Sequence, residues 1–253
     1  MVKSSTSAPS QLSPTLWPAD AFRWYASLGV LGLVLLAMII APTIAAAILV
    51  VARMATLHDL QTLTWQLLTL QFVSYACILL VLIPLLPMLA QRSLAQLGLR
   101  APRLSDLAWG IGGSIAMSIA ATLTSVAQEA LIHLKSDEVQ VHLLRSAHGG
   151  IAIAFAFLAC IAAPFIEELT FRGFVFNAIL RYLPVPGAVI ASAAIFGAVH
   201  WQPGNAGAIF PLIASGIVLA LVYYRTVSLP ASMLTHGLFN AFTVVAVMVF
   251  HQT

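Results

Sequence analysis

Apolar residues run along this chain in long unbroken stretches, without the alternation of strands. The first covers roughly residues 25–52 and holds Pro42; the second, roughly 63–90, closes on Pro84 and Pro87. Each exceeds the about 20 residues a helix needs to cross a bilayer's hydrocarbon, so each predicts a spanning helix, tilted or kinked. A polar stretch at 91–106 carries Arg92, Arg100 and Arg103. The third run, 107–127, is punctuated by Gly110, Gly112 and Gly113, which permit close helix packing. The polar segment 128–149, with Glu129, Lys135, Asp137, Glu138 and Arg145, then separates the first three runs from the rest. Four more runs follow at 150–166, 186–199, 208–224 and 229–250. Because 174–182 is apolar enough to form a further short element, the pattern predicts seven or eight spans.

Composition agrees with this pattern. Of 253 residues, 61% are hydrophobic and 8% charged, against about 25% charged in soluble domains, and the mean hydropathy is +1.00. The expected fold class is all-α: a polytopic transmembrane helical bundle embedded in a lipid bilayer. A transmembrane barrel is excluded because the runs are continuous. Residues 1–21, rich in Ser, Thr and Pro with no apolar core near the start, read as a disordered cytoplasmic tail, not a cleavable signal peptide.

Charge sets orientation more than partners. The net charge is +3, but the eleven basic residues are scattered and form no stripe, so no nucleic-acid partner is expected. With the amino terminus inside and seven spans, Lys3, Arg23, Arg92, Arg100, Arg103, Arg172, Arg181 and Arg225 fall on the inner side, against Arg53, Lys135 and Arg145 outside. The bias favours a cytoplasmic amino terminus. Cys77 and Cys160 each lie in an apolar stretch, far from any thiolate-metal spacing, and read as small core residues. No period of 20–50 residues repeats, and no matched pair of broken helices marks a secondary transporter.

Ionisable groups inside a membrane are costly and so point to chemistry. Six of the eight acidic residues sit in polar termini or loops; Glu167 and Glu168 are adjacent, at the cytoplasmic end of the fourth run. On a helix Glu168 and Arg172 are four apart and can pair, while Glu167 lies about 140° from Arg172 and points elsewhere. Pro164, three residues before Glu167, is favoured in a helix's first turn, which would set both glutamates near a positive dipole end. Five histidines (His58, His133, His142, His148, His251) fall in polar segments and read as solvated. His200 ends the fifth run, and His236 lies inside the seventh with Asn240 one turn on. Polar side chains in lipid-embedded helices face inward and seek one another, so these groups are expected to converge. Such a set either activates water by general-base catalysis and stabilises an oxyanion, or holds a divalent metal that does both. No His-Glu-x-x-His zinc helix is present, every aspartate lies outside the apolar runs, and Ser215-Gly216 reads as helix packing.

Glu167-Glu168-x-x-x-Arg172, Phe196-x-x-x-His200 and His236-x-x-x-Asn240, in that order on successive apolar helices, resemble the three motifs of the CAAX-protease and bacteriocin-processing family of intramembrane proteases, related to the type II CAAX prenyl endopeptidases. The resemblance covers roughly 152–245. It implies a helical intramembrane (metallo)endopeptidase of about eight spans acting on a membrane-anchored, sometimes prenylated, peptide or protein. By analogy Glu167 and His200 activate the water, His236 and Asn240 bind the scissile carbonyl, and Glu168 and Arg172 hold the first motif. Glu167, His200 and His236 would be the ligands of Zn2+ or another divalent metal, while a glutamate-activated water without metal fits the same residues. In this reading 22–149 are three accessory spans, 150–253 the catalytic core, and the location a bacterial plasma membrane. Two further readings stand beside it: an ion-coupled transporter using the cluster as a relay, and a non-catalytic bacteriocin-immunity or scaffold protein.

Overall fold

The computed structural model describes residues 18–56, 64–135, 143–145, 147–201 and 206–250, with residues 249 and 250 in backbone alone. The tail expected over 1–21 therefore lies almost wholly outside the described residues, as do His58, His142 and His251. Among the described residues, seven helices exceed a single turn: α1 (Trp24–Val51), α2 (Trp65–Ala90), α3 (Leu104–Ile132), α4 (Gly149–Leu180), α5 (Val185–Val199), α6 (Ile209–Thr226) and α7 (Leu229–Phe250). Six are long and apolar enough to span a membrane, and no strand occurs among the described residues. The chain is thus an integral membrane helical bundle. Its outer surface bears Leu28, Ile39, Ile44 and Ile48 of α1 and Ile115, Ile119 and Leu123 of α3 exposed, as lipid contact demands.

Helix ends follow local chemistry. The Thr64 hydroxyl accepts the Leu67 N–H to start α2, and the Ser228 hydroxyl accepts the Ala231 N–H to start α7. At the start of α3 the buried Asp106 accepts the Arg103 backbone N–H at 2.7 Å and pairs with both terminal nitrogens of Arg100 at 2.8 and 2.9 Å. One face of the bundle is then sewn together. The Phe22 N–H donates to the Leu89 carbonyl, the Tyr182 hydroxyl to that of Phe22, Arg181 to that of Ala19, and the Leu229 N–H to that of Gly98. Gly98, at φ +92°, sits where a Cβ would lie 2.6 Å from the Val227 carbonyl oxygen, so only glycine fits.

Four expectations are corrected. The apolar segment 174–182 is no separate eighth element: through Leu180 it is the end of α4, a continuous helix of 32 residues. Glu167 and Glu168 consequently sit about midway along α4, roughly 27 Å from its first residue at 1.5 Å per residue, instead of at a helix end. Arg172, counted above with a cytoplasmic loop, is buried inside the same helix. Pro164 starts no helix either. It follows a π-helical stretch, Leu158–Ala162, in which each N–H reaches five residues back. Having no N–H, Pro164 leaves the Ala159 carbonyl without its partner in that register. The helix therefore presents an unsatisfied acceptor to α7.

That acceptor fixes how α7 docks. Asn240 Nδ2 donates to the Ala159 carbonyl at 2.8 Å, and Gly237 lets the backbones meet: a Cβ there would lie 2.5 Å from the Cys160 oxygen. A second π-helical stretch, Leu169–Phe176, is closed by Asn177, whose Nδ2 donates to the carbonyls of Arg172 and Gly173. On the other side, α7 packs on α3, where Gly110 and Gly113 meet Leu234 and Thr235. Gly112 does no such work, since a Cβ there meets nothing within 4 Å. We expect Gly237→Ala to destabilise the fold by about 1–3 kcal/mol, because a backbone atom stands in the way, and Gly112→Ala to cost nothing. Thermal unfolding of the two variants in the same detergent checks the contrast.

Candidate active site

The site forms where α4, α5 and α7 meet. The 15 residues of α5 extend about 22 Å, short of the roughly 30 Å hydrocarbon core, so the helix is too short to cross it. Its C-cap, His200, therefore faces the middle of α4. From α7, eight residues into the helix, His236 reaches the same level. Both imidazoles turn Nε2 to one oxygen of Glu167: the distances to Oε2 are 3.7 Å from His200 and 3.9 Å from His236.

The opposite nitrogens fix each ring. His200 Nδ1 lies 2.6 Å from the Phe196 carbonyl, which only accepts, so Nδ1 carries the proton. His236 Nδ1 likewise donates to Glu168 Oε1 at 3.0 Å. In their neutral forms both rings thus present an unprotonated Nε2 toward the Glu167 carboxylate. A water oxygen about 2.8 Å from each of two acceptors fits a gap of this size and donates a hydrogen to both.

Behind this front lies a second, wholly enclosed carboxylate. Glu168 is 0% exposed and Arg172 2%. Oε1 accepts from Arg172 at 3.0 Å as well as from His236, and Oε2 accepts the hydroxyl of Ser232, one turn before His236. The rest of the guanidinium is used: it donates to the Gly216 carbonyl of α6 at 3.0 Å and stacks over Phe196 at 4.8 Å from the ring centroid. Phe196 also flanks both histidine rings, with centroids 4.7 Å from His200 and 6.0 Å from His236. Exposure separates the two glutamates, since Glu167 and His200 keep 19% and 22% of their side-chain surface.

All six residues singled out in the sequence lie in this neighbourhood, though not alike. Glu167, His200 and His236 converge; Glu168 and Arg172 pair behind them; Asn240 shares the α7 face but spends one amide hydrogen on Ala159. Sequence reasoning missed Ser232, the Gly216 carbonyl and the Asn177–Tyr223 pair, whose hydrogen bond of 2.9 Å continues to the Leu97 carbonyl. Ser232 had a signal, because Ser232, His236 and Asn240 recur every four residues on one face. Carboxylate and imidazole are donors that zinc accepts. Yet among the described residues no three His, Cys, Asp or Glu side chains stand close enough, as placed, to hold a metal ion.

The unequal burial of the carboxylates gives a stability contrast. Glu168→Gln strands the Arg172 charge in the interior and should cost about 3–5 kcal/mol. Glu167→Gln, at the open edge, should leave unfolding nearly unchanged. Parallel melting curves of the two variants measure the difference, and equal losses would contradict the division of labour described here.

Neither a curated protein nor a solved structure matches the chain. A protein family does, over residues 149–242, from the first residue of α4 to just past Asn240 and with all three polar segments inside the match. The resemblance read from the three motifs and this match agree: over residues 149–242 the chain is similar to the type II CAAX prenyl endopeptidase Rce1-like family.

Proposed function

We propose that this chain is an intramembrane endopeptidase that hydrolyses a peptide bond of a membrane-anchored substrate with water activated by Glu167 and His200. The observation that carries the reading is the convergence of the Nε2 atoms of two imidazoles on one partly exposed carboxylate oxygen, backed by a second carboxylate that orients one of the rings. Glu167 takes a proton from the water held between it and His200. The resulting hydroxide oxygen bonds to the scissile carbonyl carbon, and the carbonyl π electrons move to oxygen. His236, which enters the step with a proton on each ring nitrogen, keeps Nδ1 on Glu168 and donates from Nε2 to that oxyanion, retaining both protons. The second hydrogen of the Asn240 amide is left for the same oxygen. As the C–N bond breaks, Glu167 returns its proton to the departing nitrogen, giving a carboxylic acid and an amine.

The substrate's membrane anchor, prenylated or not, belongs to the same proposal, as does Zn2+ or another divalent cation. Such an ion would draw His200 and His236 inward onto Glu167, and no step above requires it. In the proposed division, residues 150–253 form the catalytic unit and 22–149 its accessory spans. Orientation follows from the sewn face, which bears Arg23, Arg92, Arg100, Arg103, Arg181 and Arg225, and positive loops favour the cytoplasm. Without Arg172 the bias is seven against three and keeps its sign. Alanine-rich spans and short loops favour a bacterial plasma membrane.

The test is cleavage of membrane-anchored reporter peptides, prenylated and unprenylated, by the full chain reconstituted in lipid. The wild type should cleave at least one. Glu167→Gln and His200→Ala should each lose at least about 100-fold in rate while remaining folded. Loss of wild-type activity with a chelator, restored by Zn2+, would add the metal to the mechanism. No cleavage by any folded protein across the panel would sink the peptidase reading and leave ion coupling, tested by flux into vesicles, or a scaffold role.

A further inference from the structure

On the outer surface, away from the glutamates and histidines, α3 and α6 leave a groove of about 530 Å³. Trp109, Gly112 and Ala116 line it from α3, and Leu221, Val222 and Arg225 from α6. We propose that this groove is a binding site for an anionic glycerophospholipid of the bilayer, one acyl chain lying in the trough and the phosphate on the Arg225 guanidinium.

Three observations meet there. First, the trough is kept open by an absent side chain. Gly110 and Gly113 are needed where α7 presses on α3, but Gly112 has open space where its Cβ would stand, so its smallness serves no helix contact. Second, the two ends of the groove differ. The lining from Ala108 to Ala116 extends about 12 Å along α3, apolar throughout, whereas Arg225 stands in the last turn of α6 on the arginine-rich face. Trp109, near the start of α3 and 44% exposed, marks the same level, where indole rings favour the headgroup boundary. Third, Arg225 is exposed, and among the described residues no carboxylate lies within ion-pairing distance of it. A cation at headgroup depth, opening onto an acyl-sized apolar trough, complements a lipid phosphate with a hydrocarbon chain beneath it. Zwitterionic lipids carry a cation that competes for that phosphate, so the preference falls on lipids with net negative headgroups.

The inference is independent of the peptidase reading, and its test reads lipid occupancy. The delipidated full chain in detergent is titrated with phosphatidylglycerol and with phosphatidylcholine of the same acyl chains, and bound lipid is counted by native mass spectrometry. Wild type should prefer phosphatidylglycerol about fivefold, the amount one arginine near a charged headgroup provides. Arg225→Gln should erase the preference. Gly112→Leu, whose Cβ has nothing within 4 Å and whose branch occupies the trough, should weaken the binding of both lipids. Equal affinity for the two lipids in the wild type overturns the proposal. So does wild-type behaviour in both variants, which would place the bound lipid elsewhere.

Discussion

Everything around the site depends on one buried ion pair. Glu168 and Arg172 are enclosed where water cannot reach, and such a pair holds only if each remaining polar atom also finds a partner. Each partner found is on another helix. Ser232 and His236 come from α7, the Gly216 carbonyl from α6, and the Phe196 ring from α5. The cost of burying two charges thereby becomes a constraint on four helices, and the orientation of His236 is one of its products.

The helix that carries the pair is wound to suit. In a regular α-helix Pro164 would leave an unbonded carbonyl and a kink. Here the π-helical stretch before it shifts the register, so the unbonded carbonyl is that of Ala159, and Asn240 reaches it from α7. The second stretch frees carbonyls at Arg172 and Gly173, which Asn177 closes. Both departures from α-geometry flank the glutamates, where π-helical turns commonly accompany function. Asn240 and Gly237 lie within four residues of His236, so the contact that mends the α4 backbone also sets the depth of the histidine.

Much of this was legible in the chain. Long apolar runs located the six helices long enough to span, since in lipid only a helix satisfies its backbone internally, while the fifth run, expected to be a further span, forms only the 15-residue α5. Spacing of four separated the two glutamates correctly, because Glu168 pairs with Arg172 while Glu167 turns to the histidines. The errors share a cause. Reading polar residues as marks of helix ends sets Glu167 and Arg172 at a boundary and stops α3 before Gln128. The structure carries α3 on to Ile132, with Gln128 buried and donating to the Gly207 carbonyl. A polar residue ends a membrane helix only if it lacks a partner, and partners such as Ser232 or the Gly216 carbonyl lie on helices distant in sequence. Pro164 misled in the same way, since its effect depends on a donor 76 positions later.

The matched segment begins at residue 149, yet the site's geometry does not rest on that segment alone. α7 is held between two surfaces: α4, through Asn240 and Gly237, and α3, through the close approaches at Gly110 and Gly113. α2 packs against α4 beside the glutamates, and the 91–99 loop supplies the Leu97 carbonyl to Tyr223 and that of Gly98 to the start of α7. A histidine whose ring must meet a buried carboxylate at 3.0 Å tolerates little sliding of its helix. Without α3 the face of α7 bearing Leu234 and Thr235 would contact lipid, which has no fixed shape and sets no depth. The spans outside the matched segment thus supply the rigid half of the cradle in which the recognisable motifs meet.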